Sequence, residues 1–494
     1  MLTRLKVSGF KNLVDVDVRF GPFTCIAGTN GVGKSNLFDA ITFLSYLAEH
    51  PLQEAALMVR GGSNLRNLFT RNGAEYGSQI HLEAEMIVPP SGIDDLGQEA
   101  RASATYLRYR LVLGYEQSSV IGVGNRLVLL LEELTHINRS EARKQLGFPT
   151  TVEWRESVIV GRRTLPFIST EPNATGEIVI QRHRDGEPGR RPSPYIASSL
   201  TRTLLSVSDA VNGTALLARQ EISSWRVLQL EPHALRLASR FTDPPRLTAD
   251  GAGLPAMLYR LARQEGPDKE SMYYAQLGNR LAELNEEVRR LRVDRDDKRE
   301  LLTLEIEDRS GTYHSAEALS DGTLRFLAFA IIERDGRLGR MLCLEEPENG
   351  IHPARIQAVL YLLQDISTDT TMAVDLDNPL RQVIINTHSP HVVSLVPQDS
   401  LLVAEQVTAV AAGRKVVHRV QFSAIPNTWR ALGGRADATI PIGKLLGFLR
   451  VLPGEEIEEE WIVEPLETKG KRPMRLIDRP DVRQLTLALD AAQA

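Results

Sequence analysis

Between Leu2 and Phe20 the chain alternates apolar and polar residues in two short runs, joined by Gly9-Phe10-Lys11-Asn12. Val14, Val16, Val18 and Phe20 alternate with Asp15, Asp17 and Arg19, which predicts a half-buried antiparallel edge. The pattern then changes. Phe23 to Ala27 is a continuous apolar run, and Leu37, Ala40, Ile41, Leu44 and Leu47 recur at helical spacing. A buried strand, a loop and an amphipathic helix are expected in that order. Strands are expected again over 79–88 and 104–114, as an antiparallel sheet beside the core. Residues 252–263 and 269–287 read as helices. The second carries Met272, Tyr273, Gln276, Leu277, Leu281 and Leu284 as an apolar stripe, read as core. Arg289–Val293 and Leu301–Ile306 read as a hairpin. The weakest pattern lies over 116–225, where Leu127–Leu134 is apolar and 181–194 is a Pro/Gly/Arg-rich loop. Its arginines (Arg182, Arg184, Arg190, Arg191) suit solvent or phosphate.

Composition adds bounds rather than identity. The 494 residues leave room for about two to four domains, or one large domain with insertions. With 58 basic and 63 acidic side chains the net charge is -5, which neither suggests nor excludes a nucleic-acid partner. The two cysteines, Cys25 and Cys343, both fall in apolar strands. They read as buried core in a reducing compartment and make no zinc framework. No apolar run reaches the roughly 18–20 residues needed to span a bilayer, and the N-terminus lacks a signal-peptide core, so a cytoplasmic protein without membrane contact is expected.

The loop after the first buried strand carries chemistry. Gly28-Thr29-Asn30-Gly31-Val32-Gly33-Lys34-Ser35 fits G-x-x-x-x-G-K-[ST], in the strand–loop–helix setting that this phosphate-binding pattern requires. Gly28, Gly31 and Gly33 let the backbone curl round an anion with its N–H groups inward, and the following helix adds the positive end of its dipole. Lys34 is expected to reach the β- and γ-phosphates of ATP, and the Ser35 hydroxyl to bind Mg²⁺. Asn30 and Asn36 are placed with the nucleotide-binding residues.

A second cluster lies far downstream. Ser320 is placed as the N-cap of a long apolar helix with Asp321 in its first turn, an anion site open to a phosphate brought by another subunit. Met341 to Leu344 is an apolar strand ending in Glu345-Glu346. The first carboxylate can hold Mg²⁺, and the second can polarise the attacking water. Arg381 to His391 repeats the design, an apolar strand with polar groups at its end, and His388 is expected at the γ-phosphate. Lys34, Glu346 and His388 form the catalytic set, and Ser35 and Glu345 the metal set.

In this order the P-loop, Leu319-Ser320-Asp321-Gly322, Leu344-Glu345-Glu346-Pro347-Glu348-Asn349-Gly350-Ile351-His352-Pro353 and Asn386-Thr387-His388-Ser389-Pro390 resemble the ABC-type ATPase heads of the RecF/SMC/OLD-like group. The nearest look is the short-armed ATPases of bacterial defence and toxin–antitoxin operons. The likeness covers 1–114 and 230–425. It implies an α/β P-loop NTPase head, with a mixed parallel sheet, an antiparallel β-subdomain and a helical insertion. It also implies a division into an N-terminal part of the head (1–115), an insertion or lateral subdomain (116–229), a C-terminal part of the head (230–425) and a tail (426–494). Gly28 to Ser35 would be Walker A. Ser320 and Gly322, in the signature motif, would contact ATP held by the opposite subunit. Glu345 and Glu346 would be Walker B and the catalytic base, Asn349 to His352 the D-loop, and His388 the switch histidine. Two or more copies would then assemble through an ATP sandwich.

There are departures. Position 345 is Glu where these heads usually carry Asp, and His352 stands where the D-loop usually has Asp. The Toprim nuclease domain of the OLD branch is not expected, because Leu401 to Gln406 lacks its glycine and Asp375-Leu376-Asp377 precedes the switch histidine. The tail holds an acidic run (Glu455, Glu456, Glu458, Glu459, Glu460), read as a solvated face or a docking tail. Three functions stay open: a switch for a separately encoded effector, a RecF-like DNA-binding repair ATPase, and a nucleotide-binding scaffold with negligible turnover.

Overall fold

A computed structural model describes residues 1–117, 125–161, 163, 165–183, 185, 194–264, 266, 269–282, 288–336, 339–411, 415–432, 439–441, 443–445 and 475. The acidic tail, Leu284, Arg184, Arg190 and Arg191 lie outside them.

Strand tips organise the molecule. A six-stranded sheet runs Trp225–Leu228, Met341–Glu345, Gln382–Thr387, Phe23–Ala27, Leu401–Ala411, Lys415–Ala424. The first five are parallel neighbours, and the last pairs antiparallel, so the sheet is mixed. The apolar runs are explained by two-sided burial. Cys343, Ile384 and Ile26 join one core with Leu37, Phe38, Ile41 and Leu44 of the helix Lys34–Leu47. Leu342, Leu344, Val383, Ile385, Cys25 and Ala27 point the other way, against Leu324, Leu327 and Phe329 of the helix Asp321–Arg334. A strand buried on both faces cannot alternate with polar residues. Each large aliphatic side chain so buried contributes about 1.5–3 kcal/mol.

The second sheet is antiparallel and eight-stranded. It runs Pro194–Ile196, Ile178–Arg182, Ile168–Pro172, Arg126–His136, Tyr106–Glu116, Gln79–Ile87, Leu2–Ser8, Val16–Arg19. The expected N-terminal hairpin is present, with Leu5 opposite Val18. Phe10 stacks on Phe43 at 5.7 Å and is wholly buried, so it is core. Gln79 is an exposed strand residue. The sheet runs on past residue 115: Arg126 pairs with Glu116, and four strands from the poorly patterned region extend it. Arg182 donates to the Val207 carbonyl.

Two helices, Leu254–Gln264 and Glu270–Ala282, and a small sheet containing the hairpin Val288–Asp296/Leu301–Asp308 lie between the first strand of the mixed sheet and Asp321–Arg334. The buried stripe of Glu270–Ala282 is Tyr274, Leu277, Gly278 and Leu281. Met272 is 49% exposed, because the helix is rotated from the face its apolar residues suggested. Among the described residues no helix is long and apolar enough to cross a membrane.

Candidate nucleotide site

Parallel register puts three strand ends side by side. Glu345 lies opposite Asn386, and Thr387 opposite Ala27. The loops leaving these ends share one crevice, where open α/β sheets bind ligands.

The phosphate loop is shaped by glycine. Gly33 has φ +114°, and a Cβ there would come within 2.4 Å of the Asn12 side chain. That side chain braces the loop: Asn12 Nδ2 donates to the Val32 carbonyl at 3.0 Å, and its Oδ1 accepts from Asn36 Nδ2 at 2.8 Å. Asn36 therefore directs its amide at the brace. Asn30 is exposed, and Gly31, φ +81°, has open space around it. Lys34 opens the helix, with Nζ donating to the carbonyls of Gly28 at 2.5 Å and Thr29 at 3.0 Å. Burial lowers the Lys34 pKa, while the charges of Glu346, Glu348 and Glu345 oppose that effect.

Ser35 Oγ is 3.3 Å from Glu345 Oε2. Burial raises the Glu345 pKa and Arg60 and Ser35 pull it down, while Asp39 and Glu346 push it further up. Asp39, one turn beyond Ser35, is held by Lys11 at 2.5 Å and Arg60 at 2.8 Å. Two hard oxygen donors converging here suit Mg²⁺, which takes one or two protein oxygens and completes its shell with phosphates and water. Among the described residues no cluster of three His, Cys, Asp or Glu forms a cage of its own.

Glu346 sits at the turn out of the strand with φ +45°, a left-handed backbone that costs an L-residue about 1–2 kcal/mol. His388 Nδ1 lies 2.6 Å from its Oε1, and Asn349 Nδ2 donates to its Oε2 at 2.7 Å. Burial pushes the Glu346 pKa up. The Asn349 and His388 bonds and the charges of His388 and Lys34 outweigh that and leave it below the ordinary carboxylate value. Arg325, from the helix Asp321–Arg334, donates to the Glu346 carbonyl at 3.3 Å.

Ser320 caps that helix. Its Oγ accepts from the Thr323 N–H at 3.2 Å, and the residue is exposed. Arg236 fixes the approach by bonding the Leu319 carbonyl and the Asp321 carboxylate. A Cβ on Gly322 would lie 2.7 Å from the Gly350 carbonyl, so the start of this helix touches the turn at Gly350 through backbone. His352 is the N-cap of Pro353–Ile366, its Nδ1 accepting from the Ala354 N–H.

The structure thus brings Lys34, Ser35, Glu345, Glu346 and His388 together and leaves Ser320 on an exposed edge. Asn12, Asp39, Arg60 and Arg325 escaped the motif reading, and Glu348 and Asn386 stood inside its motifs without a role. Glu348 is buried and bonded through Oε1 to the Thr387 hydroxyl, and its other oxygen has no partner among the described residues. The one available signal for it was a third acid in the same short run.

Residues 201–394 match the AAA-domain family described for AbiEii-like toxins of type IV toxin–antitoxin (TA) systems, and residues 4–81 match a second AAA-domain family. The DNA replication and repair protein RecF of Porphyromonas gingivalis is 35% identical over 83 residues, 17% of this chain and 23% of that protein. RecF of Parabacteroides distasonis is 43% identical over 51 residues, 10% of this chain and 14% of that protein. The chain thus matches less than a quarter of the length of these relatives. A solved SMC head bound to the C-winged helix domain of ScpA aligns at 14% identity with a TM-score of 0.46, over 86% of this chain and 98% of that one.

Proposed function

We propose that this chain, which carries an ABC-type ATPase head of the RecF/SMC-like group, binds ATP with Mg²⁺, hydrolyses it and uses the cycle as a dimerisation switch. One observation carries the reading: the convergence of Lys34, Ser35, Glu345, Glu346 and His388 at the tips of adjacent parallel strands. Lys34 would offset the charge on the β- and γ-phosphates. Ser35 and Glu345 would hold Mg²⁺, which when bound supplies further positive charge to the phosphate oxygens. Glu346, kept ionised by Asn349 and His388, would take a proton from the water attacking the γ-phosphorus as the bond to ADP breaks. Loss of such a base costs typically about 10²–10⁴-fold.

The exposed Ser320 cap supports assembly across a nucleotide, because a helix N-terminus offers free N–H groups to an anion from outside the chain. Control of a separately encoded effector in defence is favoured by the match to the toxin–antitoxin AAA family. The RecF identity favours a second reading, a DNA-binding ATPase. Phosphate release from the wild type and from Glu346→Gln tests hydrolysis, with loss in the variant expected. DNA titration at rising salt then separates the two roles. Binding that falls steeply with salt and stimulates turnover selects the repair reading, while its absence selects the effector switch.

A further inference from the structure

Glu346 turns left-handed immediately after Glu345, which is still in the strand. Consecutive strand residues point to opposite faces. The turn breaks that alternation, so Glu345 meets Ser35 while Glu346 meets His388 in the same crevice. Such a backbone persists only where its surroundings hold it. The Glu346 N–H is held twice by one residue. It donates to the Asn386 main-chain carbonyl at 3.0 Å and to Asn386 Oδ1 at 3.0 Å. A neighbouring strand supplies the first acceptor whatever the side chain. The second exists only because position 386 carries a short amide, where Val383, Ile384 and Ile385 before it are aliphatic. Asn386 is 2% exposed, so a polar side chain has been placed in the core for this contact.

We propose that Asn386 is a positioning residue for hydrolysis. Its side-chain carbonyl fixes the turn that aims the Glu346 carboxylate at the reacting water. The assignment rests on the catalytic reading of Glu346 given above, and the test separates the two. Asn386→Ala and Asn386→Val both remove the acceptor, and valine fills the space that alanine leaves. Each is expected to lower kcat about tenfold, with KM, ADP affinity and melting temperature little changed. Asn386→Asp restores an acceptor of the same reach and recovers most of the rate. In a Glu346→Gln background, Asn386→Val causes no further loss. Unchanged kcat in the valine variant, a loss carried by KM or by melting temperature, or an additive loss in the double variant overturns the assignment. Undiminished hydrolysis in Glu346→Gln alone instead overturns the reading of Glu346 as the base.

Discussion

Nδ1 of His388 lies 2.6 Å from Oε1 of Glu346, although the two residues leave different strands of the mixed sheet. An ionised carboxylate can only accept, so Nδ1 carries the proton. The contact orients Glu346 and helps depress its pKa, along with Asn349. A depressed carboxylate stays ionised below the ordinary value, and its stabilising contribution is lost as pH falls through the folded pKa. With Mg²⁺ saturating, the acid limb of kcat/KM is therefore expected below pH 4.5. His388→Ala should move that limb upward and lower kcat at least about tenfold, while KM changes little. A pH–rate profile of both proteins checks this.

Glu345 has the opposite bias, because burial is the largest influence on it and raises its pKa. A metal ligand must be ionised, so protons compete with Mg²⁺. The Mg²⁺ concentration for half-maximal hydrolysis should rise as pH falls towards the carboxylate range. Ser35→Ala and Glu345→Gln should each raise it at least about tenfold at neutral pH. Magnesium titrations at fixed ATP read both effects. A requirement unmoved by either substitution would rule out the proposed metal role of these two residues.

The loop glycines are not equivalent. At Gly28 a methyl would meet the Ala404 carbonyl at 2.5 Å, a backbone atom that cannot step aside, and at Gly33 it would meet the Asn12 brace at 2.4 Å. Gly28→Ala is expected to destabilise the fold by about 1–3 kcal/mol. Gly33→Ala is expected to abolish nucleotide binding by displacing Asn12 from Val32. Gly31→Ala meets open space and bears only the left-handed backbone cost, about 1–2 kcal/mol. Thermal melts and fluorescent-nucleotide titrations rank the three, and equal effects would contradict the geometry.

Far from the crevice, Glu132 is fully buried and its pKa is pushed up to about 7, mainly by desolvation. It accepts from the N–H groups of Leu204 and Leu205 and from the Tyr109 hydroxyl, which clamps the 203–206 segment onto the antiparallel sheet. The folded state holds this proton more tightly than the unfolded chain, so between pH 4.5 and about 7 Glu132's contribution to stability falls as pH rises. Glu132→Gln removes that slope while misplacing an amide against the Leu204 N–H. The wild-type minus variant difference in melting temperature should shrink from pH 5 to pH 7.5. A difference that stays flat would show that Glu132 is ionised throughout.

The crevice was legible because its residues are local in sequence: a glycine loop, two acids after an apolar run, a histidine after another. Buried parallel strands leave a clear mark, since nothing polar is tolerated until the chain reaches the tip. What escaped depends on partners distant in the chain. Asn12 matters only because it reaches Val32 and Asn36, and Asn386 only because Glu346 turns beside it. Strands Ile168–Pro172 and Ile178–Arg182 are short and mix apolar with charged residues, so periodicity alone could not place them in the large sheet. The stripe on Glu270–Ala282 is buried at Leu277 and Leu281 while Met272 and Gln276 face solvent, because sequence period cannot say which face a neighbour will cover.

On the proposed function, these strand tips hold a triphosphate over which a second copy closes. Light scattering of Glu346→Gln with and without Mg²⁺–ATP tests it most directly, beside the same protein carrying Lys34→Ala or Ser320→Arg. ATP is expected to double the mass of Glu346→Gln and to leave both double variants monomeric. A Glu346→Gln protein that binds ATP yet stays at one mass at every concentration would contradict it.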